Sequence, residues 1–115
     1  MNWEGGRRAA DLLLTSELPN AIFAVNDWMA AGCIQGLREN GHSIPRDLSI
    51  IGCDDIPLAA QISPRLTTFS LDAKHLVEEL LSAIHRYSAQ ELIAQEQIIL
   101  SAALISRESV SNMNE

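Results

Sequence analysis

The chain has 115 residues, 47% of them hydrophobic, and a formal net charge of −7, which suits one domain or part of one with enough apolar content for a core. The acidic balance, with a pI near 4.8, argues against a phosphate-binding surface on this segment, because nonspecific nucleic-acid affinity rests on Lys and Arg. Two cysteines, Cys33 and Cys53, make no disulfide framework and fit a reducing, cytoplasmic compartment. No apolar run approaches the ~20 residues a membrane span needs, and Met1-Asn2-Trp3-Glu4-Gly5-Gly6 lacks the apolar region of a signal peptide.

In chain order, residues 4–17 are predicted as a helix with Ala9, Ala10, Leu12, Leu13 and Leu14 on its apolar side. Arg7-Arg8 is solvated helix surface, and Leu18-Pro19-Asn20 ends the segment. Ala21-Ile22-Phe23-Ala24-Val25 is too short for a helix and rich in β-branched and aromatic residues, so it reads as a strand. Polarity arrives abruptly at Asn26-Asp27, two good N-cap types whose side-chain oxygens accept from free N–H groups of a first turn. Residues 28–40 contain no proline, and Met29, Cys33, Ile34 and Leu37 recur at helical spacing. Asn40-Gly41 supplies a left-handed stop. The unit is strand, polar corner, helix, and in an open parallel sheet ligands sit at the carboxyl ends of strands. Asn26 stands on that rim.

The unit then repeats. Residues 43–47 form a turn, and Leu48-Ser49-Ile50-Ile51-Gly52-Cys53 is a second strand ending in Asp54-Asp55. A small-residue segment, 56–62, follows. Both runs are apolar almost throughout rather than alternating, which favours a parallel sheet covered on both faces. Ser63-Pro64-Arg65 makes a turn before a third strand over 66–71. Asp72 caps a helix over 73–87, where Leu76, Val77, Leu80, Leu81 and Ile84 form an unbroken apolar stripe. Residues 88–95 are a polar connection, with Leu92-Ile93 able to extend a helix. Residues 98–100 and 102–105 form a final strand bent near Ser101, and residues 106–115 turn polar and are expected to fray. The fold class is α/β, three-layered, with a mostly parallel sheet.

Catalytic patterns are absent: there is no Gly-x-Ser-x-Gly, Gly-x-Gly-x-x-Gly or P-loop. His42, His75 and His85 show no metal-ligand spacing, and His75 with Glu79 lacks a third ligand. Adjacent carboxylates on an extended chain point to opposite sides, so Asp54-Asp55 need not converge on a metal or an acid–base pair. No catalytic residue, metal or cofactor is expected. From residue type alone, Asn26 and Asp54 read first as caps and Trp3 as core or surface.

Four stretches together resemble the LacI/GalR family of bacterial transcription regulators. They are Ala21-Ile22-Phe23-Ala24-Val25-Asn26-Asp27 with Met29-Ala30-Ala31-Gly32; Ile44-Pro45-Arg46-Asp47-Leu48 onward to Gly52-Cys53-Asp54-Asp55-Ile56-Pro57-Leu58-Ala59; Pro64-Arg65-Leu66-Thr67-Thr68 with Asp72; and Leu104-Ile105-Ser106-Arg107-Glu108-Ser109. The likeness runs from about residue 3 to 110. It implies the C-terminal part of a two-lobed, type I periplasmic-binding-protein-like sensor. The C-terminal lobe would take residues 1–70 and the final strand, while 71–95 cross to an N-terminal lobe this sequence lacks. It further implies a small sugar-like effector, contact with operator DNA only through a separate N-terminal domain, and a homodimer. The dimer contacts would match the helix after Asn26 and residues 58–62.

Residue by residue, the resemblance makes Asn26 the strand-end amide that contacts effector. Asp54 becomes the first acid of the Gly-aromatic-Asp-Asp pattern, which holds ligand hydroxyls, and Trp3 an aromatic that stacks on ligand. Asp27 and Asp55 look more like helix caps. Cys53 stands where the family usually has Phe or Tyr, and Leu71 where it usually has a polar residue. The same fold also serves exported sugar-binding proteins, and the missing export signal and the Arg107-Glu108-Ser109 ending favour the regulator.

Overall fold

The computed structural model describes residues 2–89 and 97–112. Within them the elements run α1 (Trp3–Leu13), β1 (Ala21–Phe23), α2 (Asp27–Glu39), β2 (Ser49–Cys53), α3 (Pro57–Gln61), β3 (Thr67–Leu71), α4 (Ala73–Ser88) and β4 (Ala102–Ile105). By contacts the chain divides into two compact units, Met1–Ser70 with Leu104–Glu115, and Leu71–Ala103.

The first two helices begin in the same way. Asn2 and Asn26 are extended, and each side-chain oxygen accepts from the N–H three residues on, Gly5 at 3.0 Å and Met29 at 2.9 Å. Each bond satisfies a donor that a first helical turn otherwise leaves open. The first helix stops at Leu13, four residues short of expectation. Thr15 and Ser16 donate their N–H groups only three residues back, to Leu12 and Leu13, and the Thr15 hydroxyl also takes the Leu12 carbonyl at 2.7 Å. Such local side-chain bonding competes with helix propagation. The second helix ends at the expected stop: Gly41 has φ +86°, its N–H reaches the Arg38 carbonyl, and His42 N–H reaches that of Leu37. This pair of bonds is the Schellman arrangement.

Helices α1 and α2 meet at glycine distance. A Cβ built on Gly6 would lie 2.1 Å from the Met29 carbonyl oxygen, and one on Gly32 would lie 2.1 Å from that of Trp3. Ala10, fully buried, faces Gly36 in the same seam. At the outer edge Arg7 and Glu39 form a two-pronged ion pair at 2.9 and 2.5 Å.

The strand order is β1-β2-β3-β4, with β1–β2 and β2–β3 parallel. The register pairs Ile22 with Ile50, Phe23 with Ile51, Ile51 with Thr67, Gly52 with Thr68 and Cys53 with Phe69. One sheet face carries Ile22, Ile50, Gly52 and Thr68. It joins the core of Ala30, Cys33, Ile34, Leu37, Leu48, Ala59 and Leu66. The other carries Phe23, Ile51, Cys53 and Phe69, and Phe23 is 61% exposed. The expectation of a parallel arrangement holds, and among the described residues the second face is open at Phe23.

The chain's end differs from expectation in two places. Ile98, Ile99 and Leu100 form no strand; β4 begins at Ala102. Residues 106–112 do not fray. Ser109 is fully buried: its hydroxyl accepts from Thr67 N–H at 2.9 Å and donates to the Ile50 carbonyl at 2.5 Å, while its carbonyl takes Ile50 N–H at 2.8 Å. Glu108 accepts from the Arg65 backbone N–H at 2.9 Å and from its guanidinium at 3.0 Å. The segment therefore fills the gap between β2 and β3 below the point where they pair directly. The expected helix extension at Leu92-Ile93 lies outside the described residues.

Helix α4 is capped by Asp72, which accepts from His75 N–H at 3.0 Å, and its apolar stripe forms as the periodicity predicts. It buries none of its residues.

Candidate functional site

The carboxyl ends of β1 and β2 lie side by side, since Ala24 N–H donates to the Ile51 carbonyl at 2.8 Å just beyond the last paired residues. Asn26 follows one strand and Asp54 the other, so both stand on one edge of the sheet. Asn26 is half-buried, with its oxygen committed to capping α2. Its Nδ2 has no hydrogen bond among the described residues and remains a donor at the rim. Asp54 is exposed and caps no helix. Its N–H donates to the Phe69 carbonyl at 2.9 Å, and α3 starts later, at Pro57, with no side-chain cap.

Asp27 and Asp55 are not caps. Asp27 is the first helical residue of α2, after the capping Asn26, and only 1% exposed. Its Oδ1 accepts the Thr68 hydroxyl at 2.6 Å and its Oδ2 accepts Ile56 N–H at 2.9 Å. It lies directly over Gly52, where an added Cβ would come within 2.2 Å of the carboxylate. The side chain thus ties α2, β3 and the turn after β2 together. Burial is the main force raising its pKa; the two hydrogen bonds act against that, and the charges of Asp54 and Asp55 add to it. Asp55 instead takes Arg107 Nη2 at 2.7 Å, while Arg107 Nη1 donates to the Leu66 carbonyl at 2.9 Å.

Trp3, the third sequence-derived candidate, is half-buried in the first turn of α1. It borders a groove of about 440 Å³ with Ala31, Ile34, Gln35, Arg38 and Ile62, which belong to the flank of α2 and the residue after α3. The structure brings Asn26 and Asp54 to one edge and sets Trp3 along that flank. Cys53, in the departing family position, is part-exposed; burial first and then the Asp54 charge push its thiol above the ordinary value. Cys33 is buried within α2, which lifts its thiol to about 11.

Sequence reasoning missed Thr68, Arg107 and Phe69. Phe69 pairs with Cys53, one residue before Asp54, and meets Phe23 edge-on, centroids 6.0 Å apart, giving the rim an aromatic flank. Alternation along β3 carries part of that signal, but the pairing register that joins the two rings is not in any local pattern. Chemically, the edge offers an amide donor, an exposed carboxylate acceptor and apolar rings. With Asp55 paired to Arg107 and Asp27 buried, the exposed charge at this edge is the Asp54 carboxylate, which disfavours an anionic ligand and suits neutral, hydroxyl-rich ones. Among the described residues no cluster of three or more His, Cys, Asp or Glu is arranged to hold a metal ion, and no helix is long and apolar enough to cross a membrane.

The sequence matches the family model of a periplasmic binding protein-like domain over residues 2–110. It is 38% identical over 111 residues to the HTH-type transcriptional regulator DegA of Bacillus subtilis, covering 96% of this chain and 33% of that protein. It is 35% identical over 117 residues to the ribose operon repressor of Haemophilus influenzae, covering 97% and 34% respectively. Among solved structures, a LacI family transcriptional regulator from Enterococcus faecium with bound ribose superimposes with a TM-score of 0.83 at 32% identity, over 96% of this chain and 41% of that one. This chain spans about a third of the length of the curated relatives it matches. It belongs to the periplasmic binding protein-like domain family, in the form found in LacI-type transcription regulators.

Proposed function

We propose that this chain is the C-terminal part of the effector-sensing domain of a LacI/GalR-type regulator, a cytoplasmic repressor, and that its strand rim contributes to a site for a small sugar or sugar derivative. The observation that carries the reading is the placement of Asn26 and Asp54 at adjacent carboxyl strand ends, one with an uncommitted amide donor and the other with an exposed carboxylate. A sugar hydroxyl donates to such a carboxylate and accepts from such an amide, and its C–H face suits an aromatic such as Trp3 or Phe69. The ribose-bound relative supports this ligand class. In this reading the chemistry is binding, not catalysis, and operator DNA is met through a domain outside this sequence. Residues 71–95 belong with the opposite lobe, and the intact protein is a homodimer.

The test is a full-length regulator carrying this sequence, titrated calorimetrically with D-ribose and a panel of pentoses and hexoses. Asp54→Ala is expected to weaken binding of the recognised sugar roughly ten- to hundred-fold, because a hydrogen bond to a charged group contributes about 1.5–3 kcal/mol. Operator affinity without sugar should be unchanged. Equal sugar affinities in the two proteins would remove Asp54 from the site.

A further inference from the structure

Among the described residues, the non-glycine positions with positive φ are Asp54 and Asp55, at 107° and 50°. The second value lies in the small left-handed well that Asp enters readily. The first lies well beyond it, where a Cβ is crowded and glycine is the ordinary occupant. Asp54 is nevertheless exposed, so packing does not call for a side chain there. A residue that is unfavourable for its backbone and unnecessary for the core is retained in the structure because of its carboxylate or for no structural reason at all.

The surroundings show how the conformation is held. Asp54 N–H is fixed by the Phe69 carbonyl of β3 at 2.9 Å, Asp55 by Arg107 of the C-terminal segment at 2.7 Å, and Ile56 N–H by Asp27 of α2 at 2.9 Å. The side-chain anchors are themselves held, Asp27 by the Thr68 hydroxyl at 2.6 Å and Arg107 by the Leu66 carbonyl at 2.9 Å. Three consecutive residues are thus gripped from three elements distant in sequence. A strained backbone persists only where its surroundings over-determine it in this way.

We infer that Asp27 and Arg107 are positioning residues which, with the Phe69 carbonyl, clamp the 54–56 turn in a strained conformation that presents the Asp54 carboxylate at the sheet edge. This rests on the reading of that edge as a ligand rim, and it adds the device that aims its acceptor. Neither residue needs to touch ligand; both act through the backbone of the turn. Glycine at 54 would relax the turn and make the clamp partly redundant.

The experiment uses the 115-residue chain. Asp54→Gly should raise the melting temperature by about 3 °C or more, because the strain is relieved, while Asp54→Ala should not raise it. Arg107→Met should cut amide-exchange protection at Asp54 and Ile56 about tenfold relative to Leu37 in α2, and Arg107→Lys should retain most of it. In the Asp54→Gly background the same Arg107→Met replacement should cost less than about threefold, because the two sites are coupled through the turn. An unchanged or lowered melting temperature for Asp54→Gly would overturn the proposal, and this variant keeps the test decisive should Arg107→Met not fold. Protection lost equally at Leu37 would also overturn it, making Arg107 a general fold residue. Titration of the same variants, carried in the full-length regulator, with D-ribose and the same panel of pentoses and hexoses addresses the rim separately. No binding of any of these sugars alongside the expected turn behaviour would count against the ligand reading alone, and the opposite turn behaviour would sink the clamp whatever the sugars do.

Discussion

Helices α2 and α4 make a useful pair. The sixteen-residue α4 has the more apolar stripe, yet buries none of its residues, and Leu80, Leu81 and Ile84 are each more than half exposed. The thirteen-residue α2 has few large apolar side chains and buries eight residues, most of them Ala, Gly, Cys, Ile or Leu. An apolar stripe states that a helix has a face to cover; it does not say that this chain covers it. Small residues state something different, that another backbone approaches closely. In α2 the glycines at 32 and 36 admit α1 to within contact of its own peptide groups, where dispersion between backbones replaces the burial of large side chains. In α4 the apolar side chains are left largely exposed.

The largest expected effect falls on that close approach. Gly32→Ala places a methyl 2.1 Å from the Trp3 carbonyl oxygen, and backbone cannot step aside as a flexible side chain can. A loss of about 3 kcal/mol is expected from guanidinium unfolding. Gly41→Ala is the sharpening control. It meets open space at φ +86°, so only the left-handed penalty of about 1–2 kcal/mol applies. If the two substitutions cost the same, close approach is not what distinguishes α2.

Ser109→Ala comes next. It strands Thr67 N–H and the Ile50 carbonyl in a buried position, for an expected loss of about 2 kcal/mol, measurable in the same unfolding series. A loss below about half of that would show that water or backbone movement repairs the gap.

A pH-dependent effect follows from Asp27. Its pKa is raised on folding above the ordinary 3.8, so the folded chain binds its proton more tightly than the unfolded chain does. Stability from this group is therefore fully present at low pH and falls as pH rises from the ordinary carboxylate range through the raised folded value. Asp27→Asn should remove that slope. Melting temperatures taken from about pH 3 to about pH 8 for both proteins test this, since acid titration is otherwise shared by the remaining carboxylates. Parallel curves would mean that the two hydrogen bonds offset the burial.

The smallest effect on stability belongs to α4. Leu80→Gln with Leu81→Gln should change the unfolding free energy by less than about 0.5 kcal/mol, since neither side chain is buried. The double substitution is also expected to weaken self-association through this stripe, measured by sedimentation. A large destabilisation would mean that the stripe is covered within the folded chain and would erase the contrast with α2.

Much of the fold was legible locally. Asn26 announces α2, Gly41 closes it, Asp72 starts α4, and the two short apolar runs ending in Asn26-Asp27 and Asp54-Asp55 mark parallel strands. These features are decided by neighbours within a few residues: a side-chain oxygen reaching the third N–H, a glycine at positive φ, a run of β-branched side chains. The rim position of Asn26 and Asp54 was also legible, because strand-end chemistry travels with the strand.

What the tertiary structure alone decided is which acid does what. Asp27 and Asp55 have the same residue type and the same local setting as a cap. One is buried against Gly52 and Thr68 and the other pairs with Arg107, partners 41 and 52 residues away. The polar tail has the composition of a fraying end, yet Ser109 fills a slot between β2 and β3 that exists only once those strands are laid in register. Composition and spacing report the free energy of a segment with itself and with water. The roles of Asp27, Arg107 and Ser109 are set by hydrogen-bond partners that folding brings across the sequence, and a buried carboxylate or hydroxyl is stable only where those partners arrive.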